Sequence, residues 1–280
     1  MKETPVPIRA ENYSGFRFYT PLEGGTSKPS STSVEQIIPK PHLIKWKMEK
    51  GQEASDAIMY SSALIGDIVH AGCDILVKHG SLSMGEIYQM IRTHEKINEV
   101  LTRYSQYTGY SHIDFIYRAV SRRLEGFERF WDEKNPSVLA SELSMYHEDL
   151  PWAGTADLTA LYKPRINSKS PIICMIDYKT GSQQRFEHTL QLVSYALLWN
   201  KHFPDEEVTH VGNLYLSDSW RKTPKYKLTV TAMTDELIDQ WWAVMNCWTA
   251  IYGDMQPVEP EPVKENFKIS INNIKEKENG

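Results

Sequence analysis

The sequence contains few cysteines, and their number and spacing exclude several classes of protein. Three occur in 280 residues, at Cys73, Cys174 and Cys247. This odd, widely spaced set matches no disulfide framework, zinc ribbon or iron–sulfur ligand spacing. We therefore expect three reduced, mostly buried thiols and no iron–sulfur cluster. A chain of this length can fold around its core without disulfides or a structural metal.

Long apolar runs are also missing. No stretch approaches the roughly 20 apolar residues of a membrane-spanning helix. Residues 1–10 lack the apolar centre of a secretory signal, and Glu3 and Glu11 argue against an organelle transit peptide. We therefore expect a cytoplasmic location and no membrane partner.

The chain has no net positive charge and lacks two common enzyme motifs. Its formal charge is −5, whereas nucleic-acid-binding proteins are usually basic. Phosphate contacts need only a local basic stripe, and basic residues cluster over 40–50, 118–123 and 221–227. A Gly-x-x-x-x-Gly-Lys-Ser/Thr motif is absent, so we expect no nucleotide-driven motor. The absence of His-Glu-x-x-His removes the commonest metalloprotease pattern.

The hydrophobic pattern predicts helices in the first half of the chain and a sheet in the second. Apolar residues at helical spacing predict helices over 52–78, 84–104 and 113–131. Shorter apolar segments predict strands over 138–146, 152–162 and 171–178. Beyond them the pattern predicts, in order, a helix over 184–200, strands over 208–216 and 225–232, and a helix over 235–252 capped by Thr234.

These elements predict one domain between two tails. Residues 1–32, rich in Pro, Gly, Ser and Thr, predict a flexible N-terminal arm. Residues 33–256 are expected to form a single domain, and residues 257–280 a charged C-terminal tail. Within the domain we expect three parts, namely a helical part (40–134), a sheet core (138–232) and a C-terminal helix (234–252).

The most informative segment follows a buried strand and reads Ile176-Asp177-Tyr178-Lys179. Side chains alternate along a strand, so Asp177 and Lys179 share a face and Tyr178 points away. Burying either charge is costly unless it is paired or bound to a metal. A salt bridge at a strand end would give the same pattern.

Two further carboxylates are predicted to lie near Asp177. Asp157 lies on the preceding strand, three residues after Gly154, and antiparallel pairing would bring it beside Asp177. Two carboxylates about 4 Å apart repel by roughly 4 kcal/mol at an effective dielectric near 20, and a divalent cation reverses that repulsion. A hairpin turn near Asp149 would place Glu142 opposite Asp157, as an accessory site residue or facing solvent. An exposed carboxylate is also the simplest alternative for Asp157.

Two helices contribute weaker candidates. His70 follows Gly66 by one turn and lies off the apolar face of its helix, where it is a metal ligand or a solvent-facing histidine. Gln191 and Tyr195 share a face of the helix that follows the Asp177 strand, because they are four residues apart.

In chain order these residues form the motifs Gly-x-x-x-His, Gly-x-x-Asp, Asp-x-Lys and Gln-x-x-x-Tyr. The chain here resembles the PD-(D/E)XK nuclease superfamily, in particular its RecB-like exonuclease branch. That branch includes phage nucleases and a mitochondrial genome-maintenance exonuclease. The resemblance covers about residues 30–216 and extends to the lead-in, with Ser31-Thr32-Ser33-Val34, Lys40-Pro41-His42-Leu43 and Trp46.

The resemblance implies a restriction-endonuclease-like α/β fold, with a central mixed sheet flanked by helices and a helical N-terminal region. It implies that Asp157 and Asp177 ligate Mg²⁺ or Mn²⁺, joined by the Tyr178 backbone carbonyl and by His70. Lys179 would position the attacking water and help to deprotonate it. The remaining pair, Gln191 and Tyr195, would contact the substrate or brace the site.

The resemblance also implies a function. We expect metal-dependent hydrolysis of DNA by an exonuclease acting on single-stranded DNA or DNA ends in replication, recombination or repair. Products would carry 5′-phosphate and 3′-hydroxyl ends, and replication or recombination proteins would be partners. If a phage encodes the chain, its location is the bacterial host cytoplasm. One alternative is a DNA-binding or assembly protein that keeps the fold without catalysis, and another is an α/β protein whose motifs coincide by chance. The sequence does not determine the polarity of cleavage, the preference for DNA or RNA, or the oligomeric state.

Overall fold

The computed structural model describes residues 1–163, 170–181, 184–216, 226–253 and 255–257. The predicted loop at 163–170, the basic cluster at 221–227 and the C-terminal tail fall largely outside these residues. The described strands are β1 (Ile8–Tyr13), β2 (Phe16–Pro21), β3 (Lys28–Pro29), β4 (Ser137–Tyr146), β5 (Ala153–Tyr162), β6 (Ile172–Lys179), β7 (His210–Leu216) and β8 (Tyr226–Ala232). The described helices are α1 (Ser31–Val34), α2 (Pro41–Lys50), α3 (Gln52–His79), α4 (Met84–Thr93), α5 (Ile97–Leu101), α6 (Ser105–Thr108), α7 (Ile113–Lys134), α8 (Phe186–His202) and α9 (Asp235–Tyr252), with short 3-10 turns at Glu35–Ile37 and Pro204–Glu206.

The centre of the fold is a mixed five-stranded sheet in the order β4-β5-β6-β7-β8. Its neighbouring strands are antiparallel except for β6 and β7, which are parallel. Parallel strands need a crossover connection, and α8 supplies it. The protein is therefore a mixed α/β structure in which helices flank the sheet.

Helices cover both faces of this sheet because its central strand is apolar on both sides. Ile176 of β6 belongs to a core cluster with Leu64 of α3 and Phe127 of α7. The adjacent Met175 belongs to a second cluster on the other face, with Trp199 of α8 and further residues of α9. The unbroken apolar run of β6 thus packs in both directions, as its sequence predicts.

The N-terminal segment corrects the prediction of a flexible arm over residues 1–32. Strands β1, β2 and β3 form a separate antiparallel sheet. The β1–β2 hairpin turns at Ser14 and Gly15, whose φ angles of 52° and 83° suit a two-residue turn. The buried Lys28 donates to the His147 and Glu148 carbonyls, which fixes this sheet to the β4–β5 connection. The high content of turn-forming residues in this segment favours an irregular arm, so composition does not predict the hairpin.

The single helix predicted over residues 84–104 is also wrong, because two short helices, α4 and α5, replace it. A capping box between Ser83 and Glu86 begins α4. The helix ends at His94, whose backbone is extended. His94 and Lys96 both lie within ion-pair distance of Asp67 on α3, at 3.3 and 2.8 Å. These contacts with α3 lie where the predicted helix is interrupted, between α4 and α5.

Other predicted elements are confirmed within one to two residues at most boundaries, and Thr234 caps α9 by accepting a hydrogen bond from the Leu237 N–H. All three cysteines are free, and Cys73 and Cys174 are buried. Among the described residues, α3 is long and apolar enough to cross a membrane by length and composition alone. Because core helices pass the same test and one side of α3 packs in the core, this is weak evidence for a span.

Candidate active site

The structure brings Asp157 and Asp177 together on neighbouring strands. The β5–β6 register pairs Leu158 with Ile176, so positions 157 and 177 face each other. Both carboxylates are nearly buried, with relative exposures of 9% and 4%. An Asp157 oxygen accepts a 2.7 Å hydrogen bond from the Tyr178 backbone N–H. Asp177 forms a 2.7 Å ion pair with Lys179, which lies on the same face as expected from alternation.

Glu142 joins this pair from β4. It lies between the Ser141–Leu158 and Leu143–Ala156 pairs, and therefore opposite Asp157, as the sequence predicts. Its backbone has a φ of 49°, in the left-handed region that side chains other than glycine rarely adopt. Such a conformation costs on the order of 1–2 kcal/mol and persists only where the surroundings enforce it. The strained residue is the one that contributes a third carboxylate to the site.

His70 approaches the carboxylates from α3. Its Nε2 lies 2.8 Å from the Tyr178 carbonyl oxygen, which can only accept, so Nε2 carries a proton and donates it. The other ring nitrogen, Nδ1, lies 3.4 Å from Asp157. Ligand atoms of His70, Glu142 and Asp157 all lie within 4.8 Å of one another. The carbonyl predicted as a metal ligand is used here to orient His70.

Gln191 and Tyr195 lie next to Lys179 and line the groove with little exposed surface. Gln191 accepts a 3.0 Å hydrogen bond from Lys179 Nζ through Oε1, and donates one of 3.0 Å from Nε2 to the Tyr195 hydroxyl. Both residues are buried. Of the two roles predicted for them, this geometry matches bracing of the site.

The close fit of Tyr195 explains the glycine before Asp157. A Cβ at Gly154 would lie 2.2 Å from Tyr195 Cε1, a distance that would force a shift. The requirement at Gly66 is weaker, because a Cβ there would meet Thr180 Oγ1 at an ordinary 3.7 Å. Only the first of these glycines is required by packing.

Burial and mutual charge perturb the pKa values of the whole cluster. Burial opposes protonation of His70, but the Asp157 and Asp177 carboxylates outweigh it and raise its pKa to about 9. Burial and the Asp157 charge raise the pKa of Glu142 to about 7. The pKa of Asp157 is lowered because His70 and the Tyr178 N–H outweigh the effect of its burial. Burial raises the pKa of Asp177. Although burial favours the neutral amine, the Asp177 carboxylate raises the pKa of Lys179.

This cluster opens into a groove of about 1470 Å³. The face of α3 that carries Met59, Ala63, Gly66 and His70 lines one wall, as its small residues suggest. Other groove residues have no role predicted from the sequence. They come from β1–β2, the lead-in, α2, β7 and the start of α8. They include Arg17, Tyr19, His42, Trp46, Arg185, His188 and Tyr215. The alternating segment around Ser14-Gly15 was the available signal for the hairpin residues; nothing in the local sequence marks Arg185 or His188.

Comparisons with known proteins do not assign the chain to a family. No family model matches it. No curated protein matches it either. A solved structure described as "Crystal structure of SSO0001" is 13% identical and covers 71% of this chain and 96% of its own, with a TM-score of 0.25. A likeness that weak carries no argument about fold or activity.

Proposed function

We propose that this protein is a metal-dependent deoxyribonuclease with a PD-(D/E)XK-type core, acting as an exonuclease on single-stranded DNA or DNA ends. The observation that carries the proposal is the convergence of His70, Glu142 and Asp157 within 4.8 Å. The Asp177–Lys179 pair lies beside them on the next strand. The four motifs that resemble that superfamily supply all of these residues except the accessory carboxylate.

The donor set fits a divalent cation. Carboxylate oxygens from Glu142, Asp157 and Asp177 suit Mg²⁺ or Mn²⁺, and an imidazole nitrogen favours Mn²⁺ of the two. Nδ1 of His70 is the available ligand atom, because Nε2–H is held by the Tyr178 carbonyl. Donation of the second ring nitrogen to a backbone carbonyl is the usual way in which proteins orient a metal-binding histidine. A cation bound here would polarise the scissile phosphate and acidify the attacking water.

The protein's own residues then orient the reaction. Lys179 Nζ projects into the groove beside Asp177, where an ammonium group can hold the attacking water and stabilise negative charge on the phosphate. Gln191 fixes the position of Nζ through its 3.0 Å hydrogen bond. Lys179 and His70 are positioned by buried partners, so little rearrangement is needed on substrate binding.

The test is cleavage of end-labelled single- and double-stranded DNA oligonucleotides with Mg²⁺, Mn²⁺ or a chelator. The wild-type protein should cleave with either metal, release mononucleotides or short fragments from an end, and stop in chelator. Asp157→Ala, Asp177→Ala and Lys179→Ala should each abolish cleavage. Lys201→Ala, at the far end of α8, is the matched control and should retain full activity.

Circular dichroism of each variant separates loss of chemistry from loss of fold. A folded Lys179→Ala protein with the wild-type rate would refute the assignment of the site. Metal-independent DNA binding without cleavage by the wild-type protein would instead favour the non-catalytic alternative.

A further inference from the structure

The groove changes its charge along the sheet. Its acidic end comprises Glu142 on β4 and the aspartates on β5 and β6. Beyond Lys179, the wall is formed by Tyr215 of β7 together with Arg185 and His188. Lys179 and Tyr215 are direct register partners, so this second region begins one strand further on, about 4.8 Å from the lysine strand.

His188 lies in this second region as a neutral imidazole, which can offer one N–H donor. Burial raises the pKa of Tyr215, and the Arg185 backbone N–H acts against that rise. The Tyr215 hydroxyl lies 3.1 Å from His188 Nδ1. With the Tyr215 hydroxyl as donor to Nδ1, the neutral imidazole carries its hydrogen on Nε2. Burial and the nearby Lys179 and Arg185 charges hold the pKa of His188 at about 3, which is consistent with this form.

Arg185 supplies positive charge next to that donor. Its side chain is 29% exposed, and it comes no closer than 3.9 Å to Glu187, beyond hydrogen-bond distance. Lys40, which also influences His188, is paired with Glu35 at 3.4 Å. Arg185 is therefore the residue here whose planar, multidentate donor group best suits a phosphate.

We propose that Arg185 and His188 form a subsite for a phosphodiester of the nucleic-acid strand, next to the phosphate that is cleaved. The inference rests on the proposed nuclease function. The negative phosphate that follows the scissile one would leave the carboxylate end of the groove and meet Arg185 and the His188 N–H. The subsite thereby sets the path of the nucleic-acid strand across the sheet, from β6 to β7.

The experiment is fluorescence anisotropy of a labelled single-stranded DNA oligonucleotide in Ca²⁺, with electrophoresis to verify that the strand stays intact. Affinity is measured between 50 and 200 mM salt for the wild type and three variants. These are Arg185→Gln, His188→Leu and, as the control on the helix that carries His188, Lys201→Gln. Thermal melting establishes that each variant is folded.

The two variants should weaken binding in different ways. Arg185→Gln should weaken it about tenfold and reduce the slope of log K against log salt by about 0.7, because one phosphate contact is lost. His188→Leu should weaken binding severalfold without changing the slope, because the lost donor is neutral. Lys201→Gln should change neither quantity.

Wild-type affinity and slope in Arg185→Gln would overturn the subsite, as would an equal loss in Lys201→Gln. If His188→Leu fails to fold, Arg185→Gln and its control decide the question alone. The test does not depend on cleavage. If the wild-type protein binds DNA with the predicted Arg185 dependence but never cleaves it, the nuclease proposal fails and the subsite stands.

Discussion

Replacement of Glu142 by glutamine should stabilise the protein in the absence of metal while weakening the site. Glutamine keeps the size of the side chain and removes its charge. In chelator the Glu142 and Asp157 carboxylates have no cation between them, although ligand atoms of both lie within 4.8 Å of each other and of His70. The wild-type protein therefore holds two like charges together at a cost in stability.

The expected gain in stability follows from the distance between the Glu142 and Asp157 carboxylates. Two unit charges about 4.8 Å apart repel by about 3 kcal/mol at an effective dielectric near 20. The positive charge on His70 offsets part of this repulsion, and Glu142 is only partly buried. We therefore expect Glu142→Gln to raise the free energy of unfolding by about 1–2 kcal/mol at pH 8, after solvent screening is allowed for.

The sign of the pH dependence provides a second check. The folded-state pKa of Glu142 is about 7, above its ordinary value of 4.5. The folded protein thus binds this proton more tightly than the unfolded chain does, and its contribution to stability is lost as pH rises from about 4.5 through 7. Wild type and variant should have similar stability near pH 4.5, diverge between pH 4.5 and 7, and keep a constant difference at higher pH.

Urea unfolding in chelator at pH 5 and pH 8 measures both effects. The exposed Glu49→Gln change on α2 is the control and should alter stability little. Added Mn²⁺ should stabilise the wild type by mass action and the Glu142 variant much less. A Glu142→Gln protein that is less stable than the wild type at pH 8 in chelator would refute the argument.

Three further changes test other parts of the site. Gln191→Leu should lower kcat about 10- to 100-fold with little change in KM, because the site lysine loses its 3.0 Å hydrogen bond; an unchanged single-turnover rate would contradict this. Gly154→Ala should cost about 1–3 kcal/mol in urea unfolding, because the added methyl group meets Tyr195, whereas a methyl group at Gly85 meets only Ser83 Oγ at an ordinary 3.9 Å and should not destabilise. An NMR titration should find His188 neutral down to about pH 3, so its contribution to stability is complete above its ordinary pKa of 6.5 and declines as pH falls towards 3; protonation near pH 6.5 would contradict the buried environment.

Much of the sheet and the pairing of site residues could be predicted from periodicity. The two-residue period of a strand places Asp177 and Lys179 on one face, and the antiparallel connection of β5 and β6 brings Asp157 opposite Asp177. Helical spacing likewise places Gln191 and Tyr195 together. These relations are local or nearly so, which is why a single sequence reveals them.

Other features depend on long-range packing that no local pattern encodes. The left-handed backbone of Glu142 and the orientation of His70 by the Tyr178 carbonyl arise only when distant segments meet. The sequence pattern does not predict the N-terminal hairpin, because its turn-forming composition outweighs the alternation of its strands. Arg185 and His188 lie together beside the hydroxyl of Tyr215, which comes from a distant strand, β7.

The hydrogen bond between His70 and the Tyr178 carbonyl also has a consequence for biosynthesis. Its two partners are 108 residues apart in the chain. At typical translation rates of 5–20 residues per second, Tyr178 is added roughly 5–20 s after His70. During that interval α3 can form, but the nascent chain lacks the carbonyl that orients His70 and the Asp177 carboxylate of the proposed cation site. Full metal affinity of the proposed site on the ribosome would therefore indicate that β6 has docked against the N-terminal helices. A ribosome-bound chain stalled before β6 holds only His70, Glu142 and Asp157 of the proposed donors and should bind the ion more weakly.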